Sequence, residues 1–292
     1  GSRKFRGKGK QIGTRDQQKR IEIRLIEEAV GPLETRLKKE VYVNGVRKKV
    51  GDLAGQFNAV LFLPQDMAVV EGPPTGRRGY LDSTLAQVSR PYADGLAEYN
   101  KIISQRNALL KQLGENGGDP EQLDFWDEQL TRHGALIVQT RAAALDELER
   151  LAVPLHRALT RNAETLRLSY RPSYDPAAAT NGQIELPMDL PVERGGIALD
   201  EIRAGLLRKL RENRADEIER GQTLFGPHRD EVRFLASGLD LGTYGSRGQI
   251  RTALLALKLA ETAWIRQKVG EWPVLLLDEI LAELDTTRRA DV

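Results

Sequence analysis

The sequence predicts an α/β fold, a sheet domain drawn from both ends of the chain and interrupted by a long helical insertion. Three observations carry this reading. Short alternating or apolar runs fill residues 21–63, a helical period takes over from about residue 80, and residues 226–279 return to strand, helix, strand.

Residues 21–26 alternate in the period of a half-buried strand. Lys39-Glu-Val-Tyr-Val43 and Val46-Arg-Lys-Lys-Val50 flank Asn44-Gly45, the pattern of a hairpin with a two-residue turn. Residues 57–63 form another apolar strand, stopped by Pro64. From about Tyr80, the residues Tyr92, Leu96, Tyr99, Ile103, Leu110 and Leu113 share one helical face. Gly114-Glu-Asn-Gly-Gly-Asp-Pro120 breaks it. Leu123, Trp126, Leu130, Ile137, Ala144 and Leu151 then recur near heptad spacing, so the pair reads as an antiparallel helical hairpin. The second helix, of roughly 30 residues, is expected to reach about 45 Å. Residues 163–171 read as a strand, 172–196 as a Pro- and Gly-rich connection, and 199–216 as an Arg-rich amphipathic helix. Gly226-Pro-His-Arg-Asp230 leads into an alternating strand, and Ser237-Gly238 suits a turn. The expected division is 1–82 as one part of the sheet lobe, 83–214 as the helical arm, and 215–292 as the sheet lobe continued.

Composition is that of a globular protein, with 40% hydrophobic and 29% charged residues among 292. No apolar stretch approaches the roughly 20 residues of a membrane helix, and no signal-peptide pattern opens the chain. Cysteine is absent, which excludes disulfides and thiolate metal sites and fits a cytoplasmic protein. The net charge of +2 is uneven: residues 1–49 hold 15 Lys and Arg against 6 Asp and Glu, a balance of +9, leaving −7 for the rest. Arg3-Lys-Phe-Arg-Gly-Lys-Gly-Lys10 reads equally as a phosphate-neutralising segment or a solvated tail.

The chemistry concentrates in two runs. Tyr244-Gly-Ser-Arg-Gly-Gln249 opens an apolar helix, where free N–H groups and the helix dipole favour an anion; Ser246 adds a donor and Arg247 a charge. An N-capped helix after a loop is the plainer reading of the same residues. Pro273-Val-Leu-Leu-Leu-Asp-Glu279 is an apolar strand, expected to be covered on both faces, that ends in two carboxylates suited to Mg²⁺ and a water nucleophile. An acidic helix N-terminus is the competing reading there. His133, His156 and His228 lack metal-ligand spacing. His133 reads as a packed arm residue. His228 and Arg229 read as phosphate-addressing loop residues or as parts of a structural turn. Arg77 and Arg78 read as DNA contacts or as partners of acids at a domain junction.

Arg251-Thr-Ala-Leu-Leu-Ala-Leu-Lys-Leu-Ala-Glu261, Leu275-Leu-Leu-Asp-Glu279 and Ala282-Glu-Leu-Asp285 resemble the C-terminal half of the RecF family. These are bacterial recombination-repair ATPases related to SMC heads. Leu61-Phe-Leu-Pro-Gln-Asp66, Gly76-Arg-Arg-Gly-Tyr-Leu-Asp82, Ser104-Gln-Arg-Asn-Ala-Leu-Leu-Lys111 and Gly226-Pro-His-Arg-Asp230 match in the same order, from about residue 40 to the end. The resemblance implies an ABC/SMC-type P-loop ATPase head, incomplete here, with an inserted helical arm.

It further implies that Ser246, Arg247, Gly248 and Gln249 form the signature that contacts the γ-phosphate of ATP held by the opposite subunit. Asp278 would bind Mg²⁺, Glu279 would be the general base, Asp285 would lie at the dimer interface, and Gln65 would reach the metal. Many family members carry Asp where this chain has Glu279. No Gly-x-x-x-x-Gly-Lys-Ser/Thr phosphate loop occurs. The segment that would bring a switch histidine is also absent, so a fragment of a weak ATPase is expected. The implied function is ATP-dependent dimerisation on single- and double-stranded or gapped DNA, loading recombinase with RecR and RecO. The alternatives are an SMC-type DNA-tethering head, for which the insertion is short, a transporter nucleotide-binding subunit, and a non-catalytic DNA- or protein-binding module.

Overall fold

A computed structural model describes residues 20–29, 35–49, 53, 57–174 and 196–277. The basic run at 3–10, and Asp278, Glu279 and Asp285, lie outside the described residues. The chain divides into two compact units, 1–57 and 58–292.

In the first unit β1 (Ile21–Ala29), β2 (Thr35–Val43) and β3 (Val46–Lys48) form an antiparallel sheet in that order. The Asn44-Gly45 turn falls where the sequence places it. Both residues have positive φ, 51° and 81°, as a tight hairpin requires. The Asn44 side chain also accepts from the Arg20 main chain at 2.8 Å, so one residue closes the turn and holds the neighbouring strand.

The second unit begins with β4 (Ala59–Phe62), which leads through a single turn, Pro64–Met67, into α1 (Ala68–Glu71). α2 (Pro74–Val88) and α3 (Arg90–Asn116) follow. The sequence reading ran these two helices together from about Tyr80. The structure starts the helix at Pro74 and breaks it at Ser89. That residue is extended (φ −133°, ψ 102°), and its hydroxyl caps α3 by accepting from Tyr92 N. Pro91 supplies the cause, because its ring removes an N–H that a continuous helix would need.

The long helix α4 (Leu123–Leu159) has 37 residues, about 55 Å at 1.5 Å per residue, more than the roughly 30 expected. Its apolar face is satisfied within the chain, against α3, β5 (Leu166–Arg171), α5 (Leu199–Glu212) and α8 (Arg247–Val269). α6 (Arg214–Arg220) packs on α3. β6 (Glu231–Ala236) pairs antiparallel with β5 and with the short β7 (Leu239–Asp240), after which α7 (Leu241–Tyr244) leads to α8.

β8 (Val274–Leu277) pairs parallel with β4, Phe62 opposite Leu277, so a strand from each end of the unit shares one small sheet. β8 is not covered on both faces as its composition suggests: Val274 and Leu276 are about half exposed. Among the described residues β4 is its one neighbour, which is why the apolar run stays open.

Buried charges fasten the helical arm to the rest. Arg141 on α4 is 2% exposed and donates to Asp82 of α2 at 2.8 Å, to the Pro227 carbonyl at 2.6 Å and to Asp230 at 3.2 Å. Burial opposes its charge, and Tyr92, Tyr170, Asp82 and Asp230 nonetheless hold its pKa well above the ordinary value. Asp230 also receives Tyr170 Oη and the Ser173 main-chain N–H. Burial pushes its carboxyl upward, and Arg141 opposes that. Within the arm a second fully buried guanidinium, Arg106, bonds Asp127 at 2.7 Å, Glu217 at 2.6 Å and Thr223 at 2.9 Å. Truncating one member of a buried charged pair leaves the other unsatisfied. Arg141→Met is therefore expected to lower unfolding free energy by about 3 to 5 kcal/mol in denaturant titrations. A loss below about 1 kcal/mol would show that Asp82 and Asp230 do not depend on it.

Candidate functional site

Helix α8 organises the site, and its first turn is the Ser246–Gln249 run, exposed at Ser246, Arg247 and Gly248. Ser246 is the N-cap: its Oγ accepts from Gln249 N at 3.3 Å, while Gln249 Oε1 accepts from Ser246 N at 2.9 Å. The plain reading of this run, a capped helix, is thus realised, and it does not compete with anion binding. Capping uses the serine oxygen as an acceptor and leaves its hydroxyl proton free to donate outward. Arg247 and Gly248 sit in the first turn, where N–H groups have no intrahelical acceptor, and both residues are exposed. A Cβ on Gly248 would meet nothing closer than Ser246 Oγ at 4.0 Å, so no neighbour in the chain requires glycine here. Glycine in a helix costs about 1 kcal/mol relative to alanine. What it leaves is a bare backbone that a ligand can approach.

Gln65 occupies the turn after β4, exposed. Asp66 Oδ2 accepts from Leu63 N at 3.0 Å and so shapes that turn. The parallel strands β4 and β8 end side by side at Phe62 and Leu277, which brings the Gln65 turn to the edge where β8 ends. The carboxylates next in sequence, Asp278 and Glu279, and then Asp285, are outside the described residues.

A buried cluster ties the Gln65 turn to α8. Lys258 Nζ lies 3.8 Å from Asp66 and 3.5 Å from Glu261, over the Tyr80 ring at 4.4 Å. Glu261 accepts from Tyr80 Oη and Thr84 Oγ1, each at 2.7 Å. Burial, reinforced by Glu261, raises the Tyr80 pKa well above its ordinary value, so the phenol stays a donor. Lys258 is twelve residues beyond Ser246, which separates the two regions by about 18 Å along the helix. One triphosphate cannot span both.

The sequence-selected basic residues collect elsewhere, around a cavity of about 220 Å³ lined by Arg78, Asp82, Tyr99, Asn100, Arg141 and His228. Arg77 is engaged internally: it pairs with Glu231 at 2.8 Å and donates to the carbonyls of Val70 and Gly72. Arg78 donates to the Asp230 main-chain oxygen at 2.7 Å and has no carboxylate within ion-pair distance among the described residues. Burial, then the nearby Arg141, lowers its pKa. Arg229 is exposed and donates to the Thr223 carbonyl and to Gln222. Gly226 has φ +131°, and a Cβ there would stand 2.4 Å from Tyr99 Oη, so this loop position requires glycine.

Both ring nitrogens of His228 are used. Nε2 is 3.1 Å from the Thr223 carbonyl, an acceptor only, so Nε2 carries the proton, and Nδ1 accepts from Tyr99 Oη at 2.7 Å. Burial above all pushes its pKa down to about 4. His228 is therefore a neutral brace in this loop. His133 is half-buried on α4, its pKa lowered by burial and by Arg132. Among the described residues no group of three or more His, Asp or Glu is placed to hold a metal ion, and no helix is long and apolar enough to cross a membrane.

The sequence reading missed Arg141, and its signal lay in the heptad: 130, 134, 137, 141, 144 and 148 are successive core positions, one of them charged. Lys258 and Glu261 stood inside a quoted motif without a role. Glu164, which accepts from Gln249 Nε2 at 2.8 Å, carried no sequence signal.

No protein-family model matches the chain. It is 42% identical over 243 residues to the DNA replication and repair protein RecF of Chloroflexus aurantiacus, covering 82% of this chain and 58% of that protein. It is 39% identical over 284 residues to the same-named protein of Heliobacterium modesticaldum, covering 96% of this chain and 68% of that one. The structure of the recombination mediator protein RecF with ATP in the RecFOR pathway superposes with a TM-score of 0.76 at 30% identity, over 93% of this chain and 67% of that chain. The chain spans about 58 to 63% of the length of the first curated relatives it matches.

The His228 geometry fixes a pH dependence. In the folded chain the imidazole stays neutral down to about pH 4, whereas in the unfolded chain it takes a proton below about 6.5. The stability it supports is complete above pH 6.5 and declines as pH falls toward 4. Between pH 6.5 and 5 the wild type should lose about 2 kcal/mol more than His228→Gln in denaturant titrations. Equal losses would mean that the buried imidazole is not neutral.

Proposed function

The chain belongs to the RecF family of DNA replication and repair proteins, and from that premise we propose that it is the signature- and carboxylate-bearing part of a DNA-repair ATPase that dimerises on DNA when ATP is bound. The observation that carries this reading is that α8 presents the exposed Ser246 turn at its start and meets the Gln65 turn, through Lys258 and Asp66, about 18 Å further along its axis. Two anion-facing elements that one chain holds too far apart for a single nucleotide serve two nucleotides across a two-fold dimer.

The parts would act as follows. Ser246 donates its free hydroxyl proton, and Arg247 and Gly248 donate main-chain N–H groups, to the terminal phosphate held by the opposite subunit. Gln249 keeps the turn in shape. Gln65 and Asp278 would hold Mg²⁺, and Glu279 would take the proton of the attacking water. Asp285 lies at the dimer interface. Bound Mg·ATP supplies the phosphoanhydride and the terminal negative charge. Because the Ser246 turn gains contacts only while that charge is present, closure is favoured before hydrolysis and disfavoured after it.

Lobes at 1–82 and 215–292 would form the head, and 83–214 the arm. Single- and double-stranded DNA, including gapped DNA, are the proposed substrates, with RecR and RecO as partners in recombinase loading and the cytoplasm as compartment. Arg78 and Arg229 are the favoured DNA candidates, since among the described residues their guanidinium groups bond only neutral oxygens, whereas Arg77 pairs with Glu231 and His228 is neutral. An SMC-type tether is disfavoured by α4, whose apolar face is covered within the chain.

In the full-length protein, Glu279→Gln should retain ATP-dependent dimerisation by analytical ultracentrifugation while lowering hydrolysis by at least about a hundredfold. Ser246→Arg should abolish dimerisation. If ATP produces no dimer, or Glu279→Gln hydrolyses at the wild-type rate, the ATPase reading fails.

A further inference from the structure

We infer that Glu164 is a positioning residue that fixes the first turn of α8 by clasping Gln249, so that the end of the arm helix α4 sets where Ser246 presents its hydroxyl. This rests on the reading of Ser246–Gln249 as the nucleotide-facing turn and adds a residue that no motif includes.

The argument starts from the amide of Gln249. Its two ends are close in shape and opposite in hydrogen-bonding sense. The capping arrangement needs Oε1 toward the Ser246 N–H, at 2.9 Å. Glu164 Oε1 stands 2.8 Å from the other end, Nε2. A carboxylate accepts and does not donate, so it selects the orientation in which Nε2 faces it and Oε1 faces Ser246. Without it, a half-buried glutamine with three side-chain torsions has, among the described residues, only the Ser246 N–H to hold its amide.

Glu164 is itself held by an unusual route out of α4. Arg161 and Asn162, neither of them glycine, both take positive φ, 53° and 64°. Left-handed backbone at such residues is uncommon and persists where surroundings enforce it. Asn162 N bonds the Arg157 carbonyl at 2.7 Å, Thr160 Oγ1 reaches the Glu164 carbonyl at 3.4 Å, and Ser237 N bonds the Thr165 carbonyl at 2.9 Å. The link from helix to β5 is therefore pinned on both sides of Glu164.

Stability does not account for the placement. Among the described residues Glu164 Oε2 is buried without a hydrogen-bond partner, and beside it in the last turn of α4 lies the fully buried His156. Burial lowers the His156 pKa, while the main chain and carboxylate of Glu164 raise it. The Glu164 oxygen that is bonded is the one facing Gln249.

Amide hydrogen exchange on this chain tests the clasp without nucleotide. Glu164→Ala should speed exchange at Ser246 and Gln249 roughly three- to tenfold. Glu164→Gln, whose carbonyl still accepts from Gln249, should stay within about twofold of wild type, and melting temperatures report whether either variant disturbs the fold. In the full-length protein, Glu164→Ala should raise the ATP concentration for half-maximal dimerisation by a similar factor, with Glu164→Gln rescuing it. Unchanged exchange in Glu164→Ala, or equal acceleration in both variants, overturns the clasp. Faster exchange with an unshifted ATP response overturns its link to the nucleotide turn. If the wild type itself does not dimerise with ATP, the ATPase reading fails, and the clasp is judged by exchange alone.

Discussion

One buried guanidinium, that of Arg141, decides how the second unit is assembled. It draws together Asp82 in the middle of α2, Tyr92 in α3, the Pro227 carbonyl and Asp230. These groups lie far apart in sequence and meet only if α4 passes between them in one register. Burying a charge this completely gains little net stability over an apolar core. What it enforces is a single arrangement, because any other packing of α4 strands Asp230, which is already 1% exposed. Arg141 also lines the cavity beside Arg78 and holds the Pro227 carbonyl next to His228.

Read this way, several motifs that identify the family serve assembly. Arg77 grips Glu231, Asp82 and Asp230 receive Arg141, and Arg106 with Asn107 secures Thr223 and the residues around it. Recognition by motif order was sound, while the physical job of these residues became visible only in three dimensions. A buried Arg–Asp pair and a phosphate-contacting Arg look alike in sequence; what separates them is a carboxylate contributed from a remote segment. Hence Arg77, a DNA candidate in the sequence, is neutralised by Glu231, whereas Arg78 beside it bonds only a main-chain carbonyl among the described residues.

Local signals were legible where local physics sets the structure. Asn44-Gly45 demanded left-handed backbone and received it, and the Ser246 run made the capping box that Ser and Gln three apart encode. Signals failed where the outcome depends on distant partners. The break at Ser89 was overridden in the reading by the continuous apolar face on either side, although Pro91 marked it. The apolar run of β8 said how the strand would be covered in a full sheet, not what the described residues place against it. Glu164 was invisible because a single glutamate after a helix has no pattern; its meaning comes from a turn through Arg161 and Asn162 that no propensity favours.

The two clasps on α8 give the helix a role beyond carrying the Ser246 turn. Near its middle Lys258 and Glu261 engage Asp66, Tyr80 and Thr84, and at its start Gln249 engages Glu164. Between them the helix is buried and continuous, with Leu254, Leu255, Ala256 and Leu257 all within 2% exposure. Such a segment moves as a rod, since close-packed side chains resist independent displacement. The Gln65 turn and the Ser246 turn belong to different nucleotides under the proposed function, yet they are mechanically joined through one helix of one chain. α4 meets that rod at two levels, through Glu164 just beyond its end and through Glu147, which accepts from Trp264 at 2.6 Å further along. Any shift of α4 is then passed along α8 as a whole rather than absorbed at one point.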